Sequence, residues 1–106
     1  MYLIDRSAAV ITIKQPCLDW ISSLDKDMPK LTLESVTRES HVYLLPEYDT
    51  EKELEAILKE VYSDIFQLEL VAFCTDEDQW PEIKYRKFKE WFDIKVHSMV
   101  FDPYED

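Results

Sequence analysis

A chain of 106 residues, 46% apolar, with five Phe, six Tyr and three Trp, is long enough to bury one core and too rich in large side chains to be a disordered segment. It has no Gly and no Asn, which excludes Gly-rich phosphate cradles, the dinucleotide-binding fingerprint and the glycine-flanked nucleophile elbow, since each needs backbone without a Cβ. A formal net charge of -11 argues against direct nucleic-acid binding, because phosphates would be repelled.

In chain order, the β-branched run "AAVITIK" (8–14) reads as a first strand, bounded by Arg6 and Ser7 and by Gln15 and Pro16. Pro16 suits the first turn of a helix, and Cys17, Trp20, Ile21, Leu24 and Met28 recur at helical spacing before Pro29, giving a first helix over roughly 16–26. After the polar stretch "LTLESVTRES", "HVYLLPE" reads as a second strand ended by Pro46. Thr50 and Glu53 then form a capping box, and Leu54, Ile57, Leu58, Val61, Tyr62, Ile65 and Phe66 follow the helical apolar rule over 51 to about 66. Leu58, Val61 and Ile65 are expected in the core. Leu68, Ala72 and Phe73 extend the stripe whereas Leu70 and Val71 fall off it, so the pattern leaves open whether the last turns are buried all round or broken.

An acidic loop follows, and Pro81 is expected to start a third helix on which Tyr85, Phe88 and Phe92 share a face, ending near Asp93. "IKVHSMVF" (94–101) is the last strand and "DPYED" a tail. Without Gly, turns fall to Asp, Ser, Pro and Glu, and connections run mostly through helices. The order β-α-β-α-α-β predicts one α+β domain over 1–106, a two-layer sandwich with a small, mostly antiparallel three-stranded sheet and helices on one face. Asp5, Arg6 and Lys14 interrupt any leader-like or membrane-spanning run, so the expected location is cytoplasmic, with no membrane contact. Cys17 and Cys74 are too few for a disulfide framework and are expected to be reduced.

Few residues offer chemistry. His97 lies in a half-apolar row between Lys95 and Met99, and is expected to be partly buried and hydrogen-bonded to a backbone or tyrosine oxygen. His41 becomes its cross-strand neighbour if the second and last strands are adjacent, which with a carboxylate would make a metal site; no close His/Cys/Asp spacing supports one. Cys17 stands in the first turn of a helix, where a thiolate is favoured, but shares a face with Ile21 and Leu24, so burial as a small apolar residue is the better expectation. Asp25 and Asp27 fit a surface turn better than an acid–base pair.

Charge distribution carries more information. Residues 1–46 hold five basic and six acidic groups, residues 47–82 two basic and twelve acidic, and residues 83–106 five of each. The excess therefore lies in the middle third. Glu53, Glu60 and Asp64 fall on one flank of the second helix, with Lys52, Lys59 and Glu55 opposite, and Asp76, Glu77 and Asp78 follow in the acidic loop. Such a surface either serves solubility alone or docks a basic partner, for which complementary charge supplies rate and selectivity. The short "KYRKFK" is expected to neutralise the acids beside it rather than to bind nucleic acid.

The stretches "RSAAVITIKQPCLDWI", "VYLLPE" and "EWFDIKVHSMVFD" together resemble a family of small cytosolic bacterial proteins of uncharacterised function. That resemblance covers most of the chain and implies a single-domain bacterial protein; it brings no active site, cofactor or partner. The resulting expectation is a non-enzymatic acidic interaction module that docks a basic protein through Glu53, Glu60, Asp64, Asp76, Glu77 and Asp78, with no cofactor and no metal. The alternative is a small enzyme or a ligand- or metal-binding protein using Cys17, His41 and His97.

Overall fold

Alternation of small and β-branched residues builds the centre of the molecule. In the computed structural model, which describes residues 2–24, 31–38 and 40–104, Ser7–Ile13 forms strand β2, with Ala9, Ile11 and Ile13 buried and Val10 and Thr12 only half so. Preceding it is a short strand β1 (Tyr2–Ile4), and following it helix α1 (Gln15–Leu24). The predicted end of that helix, with Asp25, Asp27, Met28 and Pro29, lies outside the described residues. Next come a five-residue helix α2 (Leu33–Thr37), strand β3 (His41–Leu45) and the long helix α3 (Glu51–Val71). A 3-10 turn (Glu77–Gln79), helix α4 (Tyr85–Trp91) and strands β4 (Phe92–His97) and β5 (Val100–Asp102) complete the order.

The fold is α+β, with four helices and two small antiparallel sheets among the described residues. The larger has three strands in the order β3-β2-β4. Its registers, Ile11 opposite both His41 and Ile94, and Ala8 opposite both Leu44 and His97, fix which side chains share a face. The smaller sheet pairs β1 with β5, Ile4 opposite Val100. Between Ala8–His97 and Ile4–Val100, three residues of the first strand stand against two of the last, the count of a β-bulge. The smaller sheet thus follows the larger along the same two segments of chain, and the molecule measures 47 × 29 × 21 Å.

Four departures from the sequence reading have local causes. The expected last strand over 94–101 is interrupted by that bulge, and its end joins a second sheet with the unforeseen β1. Helix α2 was not expected; Thr32 and Ser35 cap it reciprocally in a span too short to show apolar periodicity. Helix α4 starts four residues after Pro81: Trp80, restricted by the following proline, is extended at φ -74°, ψ 150°, and so is Lys84. Helix α3 runs unbroken to Val71, capped by the Thr50 hydroxyl accepting from the Glu53 amide, while the Glu53 carboxylate reaches back to the Asp49 amide, one residue before the cap.

Leu58, Ile65, Phe66 and Leu70 of α3 pack with Ile11, Ile13, Cys17, Leu18, Leu45, Phe88 and Phe92 in one core; Val61 is at its edge. Its last turn presents Glu69 and Leu70 to the core, and leaves Leu68, Ala72 and Phe73 exposed, against the expected continuation. No helix among the described residues is long and apolar enough to cross a membrane.

Candidate functional site

Two regions gather chemically capable side chains. The first grows from the outer stripe of α3. Glu53, Glu60 and Asp64 are exposed and lie along it in that order, and the same helical spacing continues into Gln67, Leu68 and Val71. Leu68 and Val71 are 56% and 42% exposed, and with Asp64, Gln67 and Trp80 they line an open groove of about 420 Å³. The acidic turn is held beside it by two indole donors: Trp20 Nε1 donates to the Gln79 carbonyl at 2.9 Å and Trp80 Nε1 to the Cys74 carbonyl at 2.8 Å.

Within that turn Asp76 has a structural task, its carboxylate accepting from the Asp78 amide and the Gln79 side chain. Glu77 and Asp78 are exposed. None of Glu53, Glu60, Asp64, Asp76, Glu77 and Asp78 forms an ion pair with a described residue. Three of the four cations of "KYRKFK" are taken up otherwise: Lys84 pairs with Glu82, Arg86 with Glu90 and Lys89 with Glu55.

The second region lies at the inner end of β3. Alternation turns His41 and Tyr43 to the same side as Ile11 and Ala9, toward the last turns of α3. There the Glu69 side chain is 3% exposed, and one of its oxygens, Oε2, accepts from His41 Nδ1 at 2.6 Å and from the Tyr43 hydroxyl. Burial first, then the hydrogen bond to and the charge of Glu69, push the Tyr43 phenol upward, so it keeps its proton and donates. The group opens on a cavity of about 380 Å³ walled by Ile11, Ile13, Val36 and Phe73, with Ser35 at its edge.

The structure separates the residues of the enzyme reading. His41 and His97 pair with opposite edges of β2, at Ile11 and Ala8, and so point to opposite faces. His97 is exposed, not partly buried, and has no hydrogen-bond partner among the described residues, because the face it shares with Lys95 and Asp93 is the less covered one. No group of three or more His, Cys, Asp or Glu among the described residues is placed to hold a metal ion.

Cys17 is 2% exposed, and burial, then the charge of Glu69, push its thiol up to about 12. It is unsuited to act as a nucleophile. Cys17 is therefore expected to react with a thiol reagent near neutral pH far more slowly than the half-buried Cys74; equal rates would place it at the surface. A folded-state pKa above the unfolded one contributes stability that is complete below pH 9 and declines as pH rises toward 12. Unfolding followed over that range should fall less steeply in Cys17→Ala than in the parent.

Glu69 and Tyr43 escaped the sequence reading. The available signal was a charged residue four positions after Ile65, on the apolar stripe itself. Compared with known proteins, the chain matches no family model, no curated sequence and no solved structure.

Proposed function

We propose that this protein is a non-enzymatic docking module that receives a basic, amphipathic segment of another protein along the outer stripe of α3. The observation that carries the reading is the continuity of Glu53, Glu60 and Asp64 with the exposed groove of Leu68, Val71 and Trp80. An apolar centre beside acids that form no ion pair among the described residues offers contact area to one face of a helix and attraction to its lysines and arginines. The fold is read with it as a two-layer sandwich, supported by the alternation of burial along β2 and β4.

A designed Lys/Leu amphipathic peptide tests the reading directly, with its Glu/Leu counterpart as control. The Lys/Leu peptide should bind, with an association rate that falls as salt is raised. Reversing Glu60 and Asp64 to Lys should slow association and weaken its salt dependence while leaving unfolding unchanged, since exposed charges contribute little to stability and these two repel each other at i, i+4. Reversing Asp19 and Glu34, which lie elsewhere on the surface, should do neither. Equal effects of the two reversals would reduce the stripe to diffuse charge and sink the proposal.

A further inference from the structure

The cavity beside Glu69 has a composition of its own. Its walls are Ile11, Ile13, Leu31, Val36, Ala72 and Phe73, and its polar groups are Ser35, His41 and Glu69. Side chains reach it from β2, α2, β3 and α3, and the only charged one among those lining it is the Glu69 carboxylate; His41 is the only other titratable group. A few convergent polar groups in a largely apolar enclosure of a few hundred cubic ångströms is the usual form of a small-ligand site.

The hydrogen bonds fix what those groups can do. Tyr43 donates to Glu69, and His41 Nδ1 meets the same carboxylate oxygen. The imidazole is half in solvent while the carboxylate is almost fully enclosed. The Glu69 carboxylate thus lies at a cavity to which none of the described lining residues brings a cation. A carboxylate held in so dry a place, with no lysine or arginine among the described residues paired to it, is unfavourable by itself.

We infer that this cavity is a binding site for a small apolar amine, with the ammonium group paired with the Glu69 carboxylate and the hydrocarbon body lying among Ile13, Val36 and Phe73. An anion of the same shape is excluded by the Glu69 charge, and a neutral hydrocarbon would gain nothing from that charge.

The test uses two probes matched in shape and opposite in charge, phenethylamine and 3-phenylpropionate, titrated into the whole protein and followed by amide chemical shifts. The amine should bind with shifts centred on Ser35, Val36, His41 and Phe73, and the acid should not. Glu69→Gln should weaken the amine by roughly tenfold or more, the usual effect of losing a hydrogen bond to a charged group. Because that substitution falls in the core, Val36→Trp provides a second arm: it fills the cavity from exposed α2, leaves Glu69 in place and should abolish binding. Equal binding of the two probes, shifts confined to other surfaces, or undiminished binding in Val36→Trp would each overturn the assignment. So would no binding of the amine at millimolar concentration.

Discussion

Phe66→Ala is expected to lower the unfolding free energy by about 3–5 kcal/mol, the range for removing a fully buried aromatic side chain. Phe66 is 0% exposed and its ring stands 5.9 Å from that of Phe88, 5.9 Å from Trp91 and 5.4 Å, edge to face, from Phe92. Such pairs add to the stabilisation from burial alone. Those three rings come from α4 and the start of β4, so the cavity left by alanine would open where three elements meet and none can close it without leaving another. Chemical denaturation should show a lower midpoint with an unchanged slope. A loss below about 1 kcal/mol would mean that the site collapses freely, contrary to the packing described.

A comparable loss, about 3–5 kcal/mol, is expected when Tyr43→Phe and His41→Leu are combined. Either change alone leaves Glu69 one donor; together they strand a carboxylate whose side chain is 3% exposed. The tyrosine should account for the larger share, since His41 is half in solvent, where its attraction to Glu69 is screened. Adding Glu69→Leu to the double variant should then restore most of the lost stability, because replacing a whole buried polar group by hydrocarbon is often neutral or better. If the triple variant is as weak as the double, the damage comes from packing at positions 41 and 43, and not from an unsatisfied charge. Recovery would show that Glu69 is not retained for stability.

Elements with a strong signal were legible in the sequence: the β-branched run of β2 and the stripe of α3 read directly, and so did Tyr85 and Phe88 of α4, whereas Phe92, expected on the same helix face, begins β4. What was hidden has physical causes. Helix α2 has five residues and no buried one, so it leaves no apolar signature. The bulge depends on how two distant segments align, and no single segment encodes it. Glu69 looked like one acid among twelve between 47 and 82, because charge counting ignores phase. Only placing it four residues after Ile65 marks it as inward-facing, and only the pairing of β3 with β2 brings His41 and Tyr43 to meet it. The acids of the outer stripe could be named in advance, since exposure follows from helical phase alone. Trp80, which turns that stripe into a groove, is delivered by a loop.

The strand order has a consequence for how the chain assembles during synthesis. Strand β2 is central, yet its neighbours arrive at very different times: β3 ends at Leu45, while β4 begins at Phe92. A growing chain can pair β2 with β3 early, but the other edge of β2 stays unpaired until residues 46–91 have been made, a few seconds at about 5–20 residues per second. An unpaired edge of "SAAVITI" is a template for another unfinished chain. Twelve acids and two lysines emerge in that interval, between 47 and 82, and their repulsion acts against two nascent chains meeting before β4 can close the sheet.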